Sequence, residues 1–542
     1  MTKKEERIQK RIKKKLQESI QLSEENVLRL EKGKRGVLNL IFGRSAIILA
    51  LLILQFMIVF SFFQWLEEYW AYYYIAMTAL GLGVGIHILN SPGDPTGKMT
   101  WMVLVMAAPV FGAVLYVWVK MDVGHRLLHK RLSEIIAKTR DMLNTEPETA
   151  EKLKLAHPDL HQLGMYLDRF GGFPVYEGCR VKYFPSGEDK FEDLLIELEK
   201  ARDFIFLEYF IIKEGYMWGR ILEILRRKAE EGVEVRVLYD GTNPGYRRPH
   251  SYPAQLQLLG IKCKVYAVPR PVVSTHYNNR DHRKILVIDG KVAYTGGINF
   301  SDEYINRQNL FGHWKDTAVR VEGQAAKSFT LMFLQMWNID EKTERYDRYL
   351  EGDFRVLPPQ KGFVIPYGDS PLDHERVGEM IYLDILNRAE RYVHIMTPYL
   401  ILDNEMITAL SFAAKRGVQV QIIMPHIPDK EYAFALAKTY YGQLMEAGVE
   451  IYEYLPGFVH AKVFVSDNRK AVVGTVNLDY RSLYHHFECG LYIQENEEVN
   501  AIEKDFLETR SKCVKMGPDF WKKEPLLRRI EGLVLKLVAP LM

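Results

Sequence analysis

A pattern of strands and helices that occurs twice in the sequence limits the folds available to this chain. In each copy a helix leads into an apolar strand, a second helix follows, and a glycine introduces another apolar strand. The strands fall at residues 204–210 and 232–239 in the first copy and at residues 392–399 and 417–424 in the second. Strands that alternate with helices of this length predict α/β units with largely parallel sheets. The chain is therefore predicted to contain two similar α/β domains.

Each copy leads on to the same set of polar residues at the same spacing. A lysine follows a histidine by two residues, an aspartate by seven, a glycine by fourteen and an asparagine by seventeen. These residues are His282, Lys284, Asp289, Gly296 and Asn299 in the first copy, and His460, Lys462, Asp467, Gly474 and Asn477 in the second. The His, Lys and Asp part alone should arise by chance at about one position in ten thousand. Two copies in matching places of a repeat therefore indicate a functional site.

Each histidine and its lysine stand at the start of an apolar strand, where side chains two residues apart point to the same face. Two imidazoles and two ammonium groups supply what a phosphodiester transfer needs without a metal. They provide a nucleophile, a proton donor and cations for the phosphate oxygens. Asp289 and Asp467 are grouped with the catalytic residues, although Asp289-Gly290 and Asp467-Asn468 are typical turn pairs and favour a turn or network role.

A histidine nucleophile needs an acceptor on its other ring nitrogen, which leaves the attacking nitrogen free. The candidates are Asp316, in the sequence Trp-Lys-Asp, and Glu488, in the sequence His-Phe-Glu. Both also fit exposed acids on later strands, and that alternative stays open.

The N-terminal region predicts a membrane anchor. Residues 1–35 hold twelve Lys or Arg and six Glu, which suits either a solvated tail or an arm that contacts anionic lipid. Three apolar runs follow, over residues 46–65, 70–89 and 99–119, and each is long enough to cross a bilayer as a helix. Basic residues flank the region on both ends, so the side of the membrane that bears the site stays open.

The remaining composition excludes several classes. A net charge of +3 over 542 residues gives no support for a nucleic-acid binder. Four widely spaced cysteines form no zinc pattern and no disulfide framework. The predicted organisation is a basic tail (1–35), a transmembrane region (36–120), a helical connector (121–175), a first domain (176–345), a linker (346–362), a second domain (363–505) and an amphipathic C-terminal tail (506–542) that docks on the protein or on lipid.

The residues of both motifs resemble those of bacterial cardiolipin synthases of the phospholipase D superfamily. Residues 281–290 and the Gly-Gly-Ile-Asn that starts at Gly296 resemble the first motif of that family. The second motif, and a membrane hairpin at residues 93–116, resemble theirs too. Three features depart from the pattern: Thr475 stands where Ser is usual, His486 stands where Asn is more usual, and an extra predicted span precedes the family's two. Gly297 removes a hydroxyl from the first copy, as the family often does.

The resemblance implies two phospholipase D-like domains related by a pseudo-two-fold axis, with one active site between them. It implies transfer of a phosphatidyl group from one phosphatidylglycerol to another, which gives cardiolipin and glycerol through a phosphohistidine, with no metal or cofactor. His282 would be the nucleophile and His460 the acid and base, although the reverse assignment stays open. The implied phosphate-binding or supporting residues are Gly296, Gly297, Asn299, Asp316, Gly474, Thr475, Asn477 and Glu488.

The same motifs leave other functions open. A membrane-bound phospholipase D hydrolase, or a phosphatidyltransferase that uses another donor or acceptor alcohol, would share every catalytic residue. A nuclease of the superfamily fits the predicted spans poorly, and a catalytically dead scaffold fits poorly with two intact His-Lys pairs. The expected partners are phosphatidylglycerol and cardiolipin in the cell membrane, reached from a multi-pass anchor, with no nucleic acid; the oligomeric state stays open.

Overall fold

We describe a computed structural model of residues 69–541, apart from residues 121–122, 244–250, 268–278, 342, 344 and 374. Before residue 69 it describes only the paired segments Gln21–Leu22 and Leu28–Arg29 and five isolated residues between 53 and 61. The basic tail lies almost entirely, and the predicted span over residues 46–65 largely, outside the described residues.

The described helices are α1 Trp70–Asn90, α2 Pro95–Ala107, α3 Pro109–Lys120, α4 Val123–Thr139, α5 Pro147–Ala156, α6 Pro158–Tyr166, α7 Gly187–Glu199, α8 Tyr216–Glu230, α9 Ser251–Leu258, α10 Ala326–Trp337, α11 Asp347–Leu350, α12 Val377–Arg388, α13 Asn404–Lys415, α14 Glu431–Glu446, α15 Tyr480–Tyr484, α16 Glu498–Arg510, α17 Phe520–Lys523 and α18 Leu526–Val538. The strands from residue 176 onward are β1 Tyr176–Gly178, β2 Arg180–Phe184, β3 Phe204–Tyr209, β4 Glu234–Asp240, β5 Lys262–Tyr266, β6 Lys284–Ile288, β7 Val292–Gly296, β8 His313–Lys315, β9 Ala318–Glu322, β10 Gln360–Asp369, β11 Tyr392–Met396, β12 Gln419–Pro425, β13 Glu450–Tyr454, β14 Gly457–Val459, β15 Val463–Ser466, β16 Lys470–Gly474, β17 Glu488–Gln494 and β18 Cys513–Lys515.

The apolar region after residue 69 contains one helix, α1, that is long and apolar enough to cross a membrane, among the residues described. The single span predicted over residues 99–119 is wrong, because the chain breaks at Ala108 into α2 and α3. Pro109 lacks the N–H that would continue α2. The two short helices pack closely enough that a Cβ on Gly112 would lie 2.7 Å from the Cα of Val105.

The two predicted α/β repeats each contribute one sheet to a single compact unit, and the two sheets share a strand order. The first sheet runs β2-β9-β7-β6-β3-β4-β5, and the second runs β10-β17-β16-β15-β11-β12-β13, with β1 added beyond β10 and β18 beyond β13. In each sheet only the last three strands of the common order are parallel, and the other neighbours are antiparallel. The prediction of largely parallel sheets is therefore wrong. Tight turns return the chain from β6 to β7 and from β15 to β16, and such turns join antiparallel strands.

The structure also moves three predicted domain boundaries. Strand β1, placed in the first domain, pairs with β10 of the second sheet. The predicted linker over residues 346–362 contains helix α11 and the start of β10. Helix α16 continues past residue 505, and β18 beyond it pairs with β13. These boundaries depend on pairings between distant segments, which local composition does not reveal.

The C-terminal helix α18 packs against α14 through the side that bears Arg528 and Gly532. Gly532 lies against the backbone of α14, where an added Cβ would be 2.5 Å from the carbonyl oxygen of Ala435, and Arg528 pairs with Glu431 at 2.8 Å. The apolar side remains exposed, with fractional exposures of 82% at Leu527 and 58% at Leu533. Docking on the protein thus leaves this apolar side open for a second contact.

Candidate active site

Each motif histidine is held by the acid of the other half of the molecule. The Nδ1 of His282 lies 3.0 and 2.9 Å from the two carboxylate oxygens of Glu488. The Nδ1 of His460 lies 2.6 Å from Oδ2 of Asp316. Both acids are fully buried, so neither is an exposed acid on a later strand. In both cases Nε2 is the nitrogen left for chemistry, provided that Nδ1 carries the proton.

Backbone pairing between the two halves creates this exchange of acids. The N–H of His282 donates to the carbonyl of Phe487, the residue before Glu488, at 3.0 Å. The N–H of His460 donates to the carbonyl of Lys315, the residue before Asp316, at 2.7 Å. The second contact continues a parallel pairing of β8 with β14. The backbone pairing that fixes each histidine therefore also places its supporting acid beside it.

The motif lysines lie beside their histidines, as the two-residue spacing predicts. The ammonium group of Lys284 donates to the carbonyl oxygen of His282. The ammonium group of Lys462 donates to the carbonyl oxygen of His460 and lies 2.9 Å from its Nδ1. Both lysines are almost completely buried. Two cations are thus held next to the two imidazoles.

Burial dominates the electrostatics of these groups. It lowers the pKa of His460 to about 4, with a further contribution from Lys462, and it lowers the pKa of His282 as well. It also lowers the pKa of Lys462 to about 7 and that of Lys284 to about 8. Burial alone would raise the pKa of Glu488, but the charge and hydrogen bond of His282, together with the nearby His486, outweigh it and lower that pKa. The histidines are therefore neutral at pH 7, the form in which an imidazole attacks.

The small and hydroxylated residues after each motif support the acids. A Cβ on Gly297 would collide with the carboxylate of Asp316. At the matching place of the second half, the hydroxyl of Thr475 donates to the carboxylate of Glu488 and accepts from the N–H of Cys489 at 2.9 Å. Gly296 and Gly474 allow neighbouring backbone to approach closely; a Cβ on Gly474 would lie 2.6 Å from the carbonyl oxygen of Cys489.

Asp289 and Asp467 do not reach the reacting groups, so grouping them with the catalytic residues is wrong and their interpretation as turn groups holds. Each lies at the far end of the strand that its histidine introduces, roughly 20 Å away at 3.3 Å per residue. The carboxylate of Asp289 accepts three backbone N–H groups from residues 202–204 at 2.8–2.9 Å. That of Asp467 accepts three from residues 390–392 at 2.9–3.0 Å. Both tie the turn to the start of a central strand.

The two asparagines differ in their partners. Asn299 accepts from the N–H of Ile211 at 3.0 Å and donates to the hydroxyl of Tyr304 at 2.7 Å. The side-chain oxygen of Asn477 is buried and makes no hydrogen bond within the described part of the chain. Within the described residues, the side chain of Asn477 is thus held by fewer hydrogen bonds than that of Asn299.

Sequence reasoning missed several groups around the histidines. Tyr304 and Trp314 pack against His460, each with ring centroids 5.4 Å apart. Lys190 is 1% exposed, and burial lowers its pKa to about 7. The ring of His486 lies 5.5 Å from that of His282. Of these, His486 carried a sequence signal, its departure from the family pattern.

The aromatic residues at the end of the first strand of each repeat have different partners. Phe210 packs edge-on against His282, with ring centroids 5.1 Å apart. Tyr209 instead stacks on Phe300 in the core of the first domain, and the hydroxyl of Tyr399 donates to Asp429 at 2.7 Å. Of these three residues, Phe210 is the one that packs against a motif histidine.

Comparisons with known proteins agree with these features. The family profile described as "Cardiolipin synthase, PLD-like domain" matches residues 194–337 and 382–510, which contain both His-Lys pairs. An uncharacterized protein of Streptococcus mutans is 51% identical over 461 residues, 85% of this chain and 100% of that protein. A cardiolipin synthase of Geobacillus kaustophilus is 31% identical over 455 residues, 83% of this chain and 89% of that protein. The solved structure of phosphatidylserine synthase from Haemophilus influenzae superposes with a TM-score of 0.54 at 16% identity, over 70% of this chain and 98% of that one, a likeness in fold.

Proposed function

The chain belongs to the cardiolipin synthase family, and we propose that this enzyme transfers a phosphatidyl group from one phosphatidylglycerol to another, producing cardiolipin and glycerol. The observation that carries the proposal is the pair of buried histidines, each with a lysine beside it and an acid from the other half on its Nδ1. Such an arrangement supplies a nucleophile and an acid–base group to a single phosphate. The strand order shared by the two sheets supports a pseudo-two-fold relation between the two domains.

In the first step, Nε2 of His282 attacks the phosphorus of phosphatidylglycerol. The P–O bond to glycerol breaks, and His460, protonated in the complex with the anionic lipid, gives its proton to the departing oxygen. Glu488 stabilises the positive charge that forms on His282, because its carboxylate faces Nδ1. The products of this step are a phosphatidyl-histidine and free glycerol.

In the second step, the terminal hydroxyl of another phosphatidylglycerol replaces glycerol. His460 removes its proton, the oxygen attacks phosphorus, and the P–N bond to His282 breaks. Lys284, Lys462 and the side-chain NH2 of Asn477 donate to the phosphate oxygens and stabilise the charge that develops on them. Cardiolipin leaves and both histidines return to their starting state.

Lipid substrates require access from a bilayer, and we assign that contact to two parts of the chain. Helix α1 is long and apolar enough to anchor the enzyme in the cell membrane. The exposed apolar side of α18, with Arg528 and Arg529 among its other residues, suits the surface of an anionic membrane. Anchoring confines the search for a lipid partner to the plane of the bilayer.

Product analysis with phosphatidylglycerol in detergent micelles tests the proposal. The purified full chain, its His282→Ala and His460→Ala variants, and a His426→Ala control are compared with a chelator present. His426 is a half-exposed histidine that is paired with Glu453 and belongs to neither motif. Cardiolipin and glycerol from the wild type and the control alone support the proposal. Phosphatidic acid as the sole lipid product identifies a hydrolase instead and overturns it.

A further inference from the structure

His486 is a third histidine beside the motif residues, and the reaction proposed above does not use it. It is 9% exposed, and neither of its ring nitrogens makes a hydrogen bond within the described part of the chain. Its Nδ1 lies 3.5 Å from Oε1 of Glu488. Burying a polar group without a hydrogen bond is costly, and such a group in a functional site points to a ligand.

The neighbours of His486 form a set of metal-ligating side chains. One ligand atom from each of His282, His486 and Glu488 lies within 4.8 Å of the other two, and all three residues are buried. Bonds of 2.0–2.2 Å in tetrahedral geometry place two ligand atoms about 3.4 Å apart. The Nδ1 of His486 lies 3.5 Å from Oε1 of Glu488, which already fits, and the Nδ1 of His282 lies 3.0 Å from the same oxygen, a distance that must open by roughly 0.4 Å.

We propose that His282, His486 and Glu488 bind a divalent cation of the zinc class, and that the bound cation switches the active site off. This inference rests on the proposed function for its consequence, because His282 is the nucleophile there. Two imidazoles and one carboxylate are ligands that zinc prefers, and they leave a fourth position for water or a phosphate oxygen.

Inhibition follows from the transfer of the ring proton of His282 from Nδ1 to Nε2. In the free enzyme Nδ1 carries the proton that Glu488 accepts, and Nε2 keeps its lone pair. A cation that binds Nδ1 displaces that proton, and a neutral imidazole then carries its proton on Nε2. The lone pair needed for attack on phosphorus is no longer available. The ammonium group of Lys284 opposes a dication here, so binding is expected to be reversible.

Cobalt spectroscopy of the purified full chain tests the site without relying on activity. Addition of Co²⁺ to the wild type should produce the visible bands of tetrahedral cobalt, and Zn²⁺ should remove them. His486→Asn should abolish these bands, whereas the control His426→Asn should keep them. His486→Cys should bind Co²⁺ and add a thiolate-to-cobalt charge-transfer band, which a misfolded variant would not give.

Activity supplies the second readout. Zn²⁺ should inhibit the wild type reversibly, and His486→Asn should raise the half-inhibitory concentration by about tenfold or more. Unchanged cobalt bands or unchanged zinc sensitivity in His486→Asn would overturn the proposal, as would a wild type that gives no tetrahedral cobalt spectrum. The spectrum separates this inference from the proposed function, since it is measured whichever lipid product the enzyme forms.

Discussion

Replacing Glu488 by glutamine tests how the nucleophile is oriented. The carboxylate accepts a bifurcated hydrogen bond from Nδ1 of His282, at 2.9 and 3.0 Å, inside a fully buried environment. A hydrogen bond to a charged group contributes about 1.5–3 kcal/mol, and each 1.36 kcal/mol changes a rate tenfold. Loss of the charge should therefore lower kcat by about 10- to 150-fold. The loss is larger if the amide N–H turns toward Nδ1 and stabilises the wrong tautomer.

The chain offers a matched control for that substitution. His394 and Glu503 make the same contact, with Nδ1 3.0 Å from both carboxylate oxygens, and His394 is stacked between Tyr392 and Phe506 instead of facing the motifs. Glu488→Gln and Glu503→Gln are compared for cardiolipin formation and for thermal unfolding. We expect both to be destabilised and only Glu488→Gln to lose turnover. A Glu488→Gln enzyme with kcat within about threefold of the wild type, equivalent to less than 0.7 kcal/mol, would refute the orienting role.

Three further outcomes follow. Because the pKa values of Lys462 and Lys284 are lowered to about 7 and 8, both lysines lose their protons as pH rises. The value of kcat/KM should therefore fall between about pH 7 and 9. A profile that stays flat to pH 10 would contradict the role of these lysines as phosphate-binding cations. Thr475→Val should slow turnover severalfold while Thr475→Ser restores it, because the hydroxyl supports Glu488; equal rates would exclude that support. Asp467→Ala should lower the free energy of unfolding by about 1–3 kcal/mol, because three backbone N–H groups lose their acceptor. The change is measured as a lower unfolding temperature. A folded variant that loses kcat without losing stability would contradict a turn role.

The sequence alone predicted two α/β repeats and a matching set of motif residues in each, because a spacing repeated twice does not depend on tertiary structure. It did not predict which acid supports which histidine. Asp316 follows His282 by 34 residues but faces His460, since β8 pairs with β14 of the other domain. The pairing of β1 with the second sheet was missed for the same reason.

Local sequence patterns that are compatible with more than one structure were the other source of wrong predictions. Composition alone made residues 99–119 look like one span, whereas Pro109 divides them into two helices. The motif aspartates were grouped with the catalytic residues because they share the motif spacing, and the strand length that separates them from the histidines decided their role. His486 was visible only as a departure from a family pattern, and its lack of hydrogen-bond partners required the structure.

Trapping the phosphatidyl-enzyme tests whether His282 forms the covalent intermediate. Phosphatidylglycerol labelled at phosphorus is mixed with the wild type, His282→Asn and His460→Asn, and the quenched protein is digested to locate the label. Label that accumulates on His282 in His460→Asn and is absent from His282→Asn is the predicted result. Label that persists in His282→Asn would contradict the assignment of His282 as the nucleophile.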